Sequence, residues 1–183
     1  MSTATTAPKR VLLASDEIER IIARMAHQIL EPEDVQNGKL YIIGIRRGGE
    51  TLAQRVAEKI ERISGTAPHL GFLNINLYRD DDVSHALPES QIPTEINGKT
   101  IVIVDDVLFT GRTIRSALDA VTDLGRPAAM RLCVLIDRGL RELPVQPDYV
   151  GRFVPTSRRE RVEVTIARTS ASTDEVAILA GQT

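Results

Sequence analysis

Between residues 40 and 136, short apolar runs alternate with segments whose apolar residues recur every three or four positions. Leu40–Ile45, 101–104 and 130–136 read as buried strands. Leu52, Val56, Ile60 and Ile63 mark one helical face. Ile114, Ala117, Leu118, Val121 and Leu124 mark another, stopped by Gly125 and Pro127. This alternation predicts an α/β fold with a parallel sheet covered on both faces. Ligands of such sheets bind beyond the carboxyl ends of the strands. A length of 183 residues allows one domain, 1–183, with a real core.

The flanking segments are weaker. Residues 11–13 read as a short strand, with Ser15 in N-cap position before a helix over 16–30. Ile18, Ile21, Ile22, Met25 and Ile29 form its apolar stripe, with Asp16 and Glu17 in the first turn. Leu73, Ile75 and Leu77 alternate with Asn74 and Asn76, the pattern of a half-buried strand. Residues 79–97 are polar and aperiodic, a long loop of the kind usually kept for function. Residues 149–154, 162–166 and 176–179 are further strand candidates.

Composition narrows the function classes. No apolar run approaches the ~20 residues of a membrane span. The first ten residues, MSTATTAPKR, hold no apolar signal core. The single cysteine, Cys133, lies in the apolar run LCVLI and reads as core; with no partner for a disulfide, it suits a cytoplasmic location. A net charge of −2 and 3% aromatic residues indicate no general avidity for nucleic acid. One stretch is strongly one-signed: Arg152, Arg158, Arg159 and Arg161 stand against Glu160 alone.

Two predicted strand ends carry the chemistry. The first reads DDVLFTGRT. Thr110, Gly111, Arg112 and Thr113 occupy the turn into a helix, where backbone N–H groups lack intrahelical partners and attract an anion. The glycine permits close backbone approach, and two threonine hydroxyls add donors. No G-x-x-x-x-G-K-[ST] is present, so this is not a nucleoside-triphosphate P-loop. Asp105 and Asp106, joined to the turn through Val107, Leu108 and Phe109, offer carboxylates to sugar hydroxyls. Phosphate donors at one end and two acids at the other fit a ribose 5-phosphate. A polar turn with Thr110 as a cap accounts for the same residues. The second strand end is Arg46-Arg47-Gly48-Gly49, where guanidinium groups and glycine amides suit a polyanion; a plain basic turn is the alternative.

The run VIVDDVLFTGRT resembles the phosphoribosyl pyrophosphate (PRPP) signature of type I phosphoribosyltransferases. RMAHQI, INLYRDD, LGRP, VLIDRGLRELP, DYVG and VPTSRRERV occur around it. Their order is similar to that of the family of pyrimidine operon attenuators with uracil phosphoribosyltransferase activity. The similarity runs from about residue 11 to 166. It implies a central, mainly parallel sheet flanked by helices, a small hood, and a flexible loop over 79–97 opening at Tyr78, Arg79 and Asp80. The implied reaction is uracil plus PRPP giving UMP and pyrophosphate. Asp105 and Asp106 would hold the ribose, and Arg46, Arg47 and Gly48 the pyrophosphate. Uracil would lie near Ile136 and Arg138. Mg²⁺ would bind mainly through substrate oxygens, with Asp105 and Asp106 reached through water. This chain has R-R-G-G where the family usually has T-R-G, and Leu140 where it has a histidine.

The resemblance also implies a second ligand, the leader of a pyrimidine operon mRNA, bound in response to UMP or UTP. Arg24, His27, Arg141, Thr156, Ser157 and Arg158 match the family's RNA surface, on a homodimer or higher oligomer. Taken alone, His27 also reads as an ordinary helix-surface residue, and Arg158 as solubilising charge. A purely metabolic transferase for uracil or a purine base, without RNA binding, is the competing reading.

Overall fold

The computed structural model describes residues 9–32, 35, 38–76, 89–92, 95–168 and 173–181. Five parallel strands form the central sheet: β2 (Leu40–Ile45), β3 (His69–Leu73), β4 (Thr100–Leu108), β5 (Ala129–Asp137) and β6 (Tyr149–Phe153). Their order is β3-β2-β4-β5-β6. β1 (Lys9–Ala14), β7 (Arg161–Thr165) and β8 (Glu175–Leu179) form a separate antiparallel sheet, ordered β1-β8-β7. This is the hood that the family resemblance implies.

Residue parity divides the core. Leu40, Ile42, Val102, Val104, Cys133 and Leu135 pack on one side with α1 (Ser15–Leu30) and α2 (Gly48–Ser64). Tyr41, Ile43, Ile101, Ile103, Leu132 and Val134 pack on the other with α3 (Arg112–Leu124). Alternate side chains of a strand point to opposite faces, so a run with no polar residue is what a two-sided sheet requires. All six residues of β2 are buried. Cys133 is core, its Sγ 3.8 Å from Met25 Sδ, and burial pushes its thiol up to about 12, which leaves it unreactive.

Three expectations are corrected. Ser15 is the first helical residue rather than the N-cap, and its hydroxyl donates to the carbonyl of Asp174 (3.1 Å). The strand expected around Leu73, Ile75 and Leu77 lies earlier, at β3. Ile75 is buried beyond the strand end, and Leu77 lies outside the described residues. β4 does not stop before its acids but continues through Asp105 and Asp106 to Leu108, paired with β5 as far as Asp137. Of the expected 79–97 loop, Gln91 bridges to Phe72, with backbone bonds of 2.9 and 2.7 Å.

A charge network fastens the hood to the helices. Arg55 of α2 is buried; it pairs with Asp174, just before β8, and donates to Glu19 of α1 (2.7 Å). Asp174 also accepts from the Ala167 amide (2.9 Å). Lys59 and Arg55 hold the Glu19 carboxyl down from 4.5 to about 2. A depressed carboxylate stabilises the fold fully above its unfolded value and loses that contribution as pH falls. Asp174→Asn strips one counter-charge from a buried guanidinium, so a loss on the order of 3 kcal/mol is expected in urea denaturation. Wild-type stability should fall between pH 4.5 and about 2, and fall less in Glu19→Gln.

Candidate active site

Side-chain alternation along β4 turns Asp105 and Asp106 to opposite faces at the sheet's carboxyl edge. Asp105 is buried, and its Oδ1 accepts the Asp106 amide (3.0 Å). Asp106 faces the start of α2. A Cβ placed on Gly48 would meet its carboxyl group, and one on Gly49 would meet the Val104 carbonyl oxygen. The two glycines therefore let the helix N-terminus sit directly on the acid-bearing strand. Burial pushes the Asp106 carboxyl above its usual range, against the pull of the Val107 amide, which donates to it at 2.7 Å. A cationic ligand or a developing positive charge at this point favours the ionised form.

The turn after β4 is braced from behind. The Leu108 carbonyl accepts from the Arg138 amide (3.0 Å), and the Phe109 carbonyl from Arg141 Nη1 (3.0 Å). The Thr110 carbonyl accepts from the Glu142 and Leu143 amides (2.9 and 3.2 Å). Three successive carbonyls are thus held toward the 138–143 segment. Gly111 takes φ +92° as the N-cap of α3, a conformation costly for other residues. The first amides of α3 have no carbonyl one turn earlier to bond. The Thr110 hydroxyl accepts one of them, from Arg112, at 3.4 Å. An anion at the helix start meets amides and dipole together.

The two expected pyrophosphate arginines differ. Arg46 is turned inward, with Nη1 on Glu50 (3.1 Å), its guanidinium 5.6 Å from the Phe72 ring centroid, and Nε buried without a hydrogen bond. Its peptide bond to Arg47 is cis. Arg47 and Gly48 are exposed at the helix start. The base-region residues differ too. The Ile136 side chain is wholly buried in the core. Arg138 lies 4.0 Å above the Phe109 ring centroid and holds the next segment through Thr156 Oγ1 (2.8 Å) and the carbonyls of Ser157 (3.1 Å) and Glu160 (2.7 Å).

The RNA candidates fall in three places. Arg24 is exposed on α1 and donates to the carbonyls of Val150 (3.1 Å) and Gly151 (2.5 Å), with His27 exposed one turn on. Thr156, Ser157 and Arg158 form the turn after β6, joined to the site through Arg138. Arg141 is committed inward: it bonds the Val145, Phe109 and Gly139 carbonyls and pairs with Asp137 (2.7 Å). Tyr78, Arg79 and Asp80 lie outside the described residues. Asp137 and Glu142 had no role in the sequence reading. Their signal was the VLIDRGLRELP run, which in sequence carried the family resemblance and gave neither acid a role.

The donor set suits Mg²⁺ in one respect. Asp105 and Asp106 supply hard carboxylate oxygens, and among the described residues no group of three or more His, Cys, Asp or Glu gathers as a cage. Mg²⁺ accepts such sparse protein ligation when substrate oxygens complete its shell.

A five-stranded parallel sheet with paired acids and a glycine-capped turn into a helix at one edge defines a class, and comparison with known proteins agrees. The phosphoribosyl transferase domain family matches residues 11–164, and the chain belongs to it. Relatives named bifunctional protein PyrR narrow this. The one from Chloroflexus aurantiacus is 49% identical over 180 residues, covering 94% of this chain and 96% of its own. That from Deinococcus radiodurans is 45% identical over 171 residues, covering 91% and 93%. The chain is a member of the PyrR family. Among solved structures, a hypoxanthine phosphoribosyltransferase from Staphylococcus aureus superposes with a TM-score of 0.65 at 21% identity, over 86% of this chain and 85% of that one. A hypoxanthine-guanine phosphoribosyltransferase from Bacillus anthracis gives 0.64 at 19%, over 82% and 83%. At these identities the likeness concerns the fold alone.

Gly48→Ala drives a methyl group into the Asp106 carboxyl. Transferase kcat/KM should fall at least about tenfold while the melting temperature moves by only a few degrees, because the clash is with one side chain at the strand end.

Proposed function

We infer that this protein converts uracil and PRPP to UMP and pyrophosphate, and regulates pyrimidine operon expression through nucleotide-dependent binding to leader mRNA. One observation carries the catalytic reading: Asp105 and Asp106, on the carboxyl end of β4, lie between the start of α2 and the braced turn into α3. The amides and hydroxyls of 110–113 hold the 5-phosphate. Asp105 and Asp106 take the 2- and 3-hydroxyls of the ribose. Arg47 and the first amides of α2 receive the departing pyrophosphate, with Arg46 setting the turn through Glu50 and Phe72.

As the bond from C1 to pyrophosphate lengthens, positive charge develops on the ribosyl ring. The Asp106 carboxyl, which burial makes reluctant to ionise, gains a cation to face. Asp105 and Asp106 would hold Mg²⁺ through water while PRPP oxygens complete its shell, and the ion would supply charge neutralisation to the leaving group. Uracil sits beyond the end of β5, near Arg138 and under the 154–162 segment that Arg138 holds in place.

The regulatory half is supported by similarity to PyrR proteins over nearly the whole chain and by the exposure of Ser157 and Arg158 after β6. Arg24 and His27 on α1 would make a second contact with the RNA, and Arg158 would meet RNA phosphate. Arg141 contributes by shaping the site turn. The working unit is a cytoplasmic homodimer or higher oligomer of single-domain chains. No helix among the described residues is long and apolar enough to cross a membrane.

Asp106→Asn should abolish UMP formation, by about a hundredfold or more, with an unchanged melting temperature; wild-type turnover would remove the catalytic role. The organism's own pyrimidine leader RNA should shift on a gel more strongly with UMP than without. A protein active on uracil with no such shift is a metabolic transferase only.

A further inference from the structure

Glu142 connects the two ligand surfaces through a single side chain. Its Oε2 accepts from Arg112 Nε at 3.0 Å, and its Oε1 from Arg158 Nη1 at 2.8 Å. Arg112 opens α3 at the anion-binding turn. Arg158 lies in the basic turn after β6. Both guanidinium side chains are more than half exposed, at 57% and 61%, so each is open to an incoming phosphate. The backbone of Glu142 is pinned, because its amide and that of Leu143 donate to the Thr110 carbonyl. The carboxylate is therefore tethered beside the phosphate turn, and only its side-chain rotamer is free to change. Arg158 first and Arg112 second hold its carboxyl below the usual range, so it is ionised at neutral pH.

We propose that Glu142 is an internal anion that occupies Arg112 and Arg158 through one rotamer, and that a nucleotide 5′-phosphate and an RNA phosphate each evict it. The proposal rests on the reading of the site as a nucleotide-responsive RNA binder and supplies its coupling element. A dianionic phosphate at 110–113 competes for Arg112 and repels the carboxylate across a short distance. Once the rotamer is lost, both contacts are lost, and Arg158 is released. Two ligands that favour the same minor state reinforce each other, reciprocally. Each contact is exposed and worth little, so the coupling is modest in size and sensitive to salt.

The test separates this device from the RNA reading. By calorimetry without RNA, Glu142→Gln should bind UMP about twofold more tightly than wild type. Arg158→Gln should also tighten UMP binding, by up to about twofold, because it weakens the retaining rotamer. Simple removal of a positive charge predicts the opposite sign. The double variant should bind no more tightly than Glu142→Gln alone. With leader RNA, Glu142→Gln should bind more strongly without UMP, by about threefold, and its enhancement by UMP should shrink toward one. An unchanged or weaker UMP affinity in Arg158→Gln, or additive effects of the two substitutions, would overturn the proposal. Absence of UMP-dependent RNA binding in the wild type would sink the regulator reading instead, and leave the UMP cycle to decide on eviction. Matching melting temperatures across the variants exclude a folding defect.

Discussion

Residues 138–143 engage the carbonyls of Leu108, Phe109 and Thr110, the three that lead from β4 into α3. That constraint sets the polarity of the turn. A backbone turn carries equal numbers of donors and acceptors, and a mixed face does not attract a phosphate. Once the acceptors are engaged behind, the donors remain in front, and Gly111 bends the chain so that α3 starts with its dipole aimed the same way. Arg141 is central to the brace. Its donors reach three carbonyls and the Asp137 carboxylate, so a single guanidinium fixes the end of β5 against the end of β4.

The opposite wall depends on an absence of side chains. Gly48 and Gly49 let α2 begin in contact with β4, where any Cβ would strike the Asp106 carboxyl or the Val104 carbonyl. Asp106 consequently sits in a place too dry for easy ionisation, close to a helix N-terminus. Both strand ends thus converge through backbone proximity, with the sheet supplying the rigid floor. The same economy appears in Arg138, which is buried under the 156–160 turn and stacked on Phe109, so it positions one segment and borders the site at once.

Much of this was legible in the chain. The apolar alternation gave β2, β4, β5, α2 and α3 with small boundary errors, because buried parallel strands and amphipathic stripes leave strong patterns. The acids and the T-G-R-T turn were legible as chemistry for the same reason that RRGG was: local residue types at strand ends. Other features were not. Ser15 looked like a cap, yet its hydroxyl serves Asp174, 159 positions away. Arg46 and Arg47 looked alike, but one packs on Phe72 and Glu50 while the other faces outward. Arg141 read as part of an RNA surface and Glu142 had no reading, and their engagement with the turn between β4 and α3 depends on contacts about thirty residues apart in sequence.

By itself the sequence determined the layered architecture and the two strand ends where acids, arginines and a glycine-bearing turn gather. These follow from periodicity and from side-chain chemistry within a few residues. Only the tertiary structure decided which charges face a ligand and which are consumed inside the protein. Arg24, Arg46, Arg112, Arg138, Arg141 and Arg158 are equivalent letters in the chain. The acceptor each guanidinium meets, supplied by distant backbone or by Glu50, Asp137 and Glu142, makes one a brace, another a wall and another a contact open to exchange.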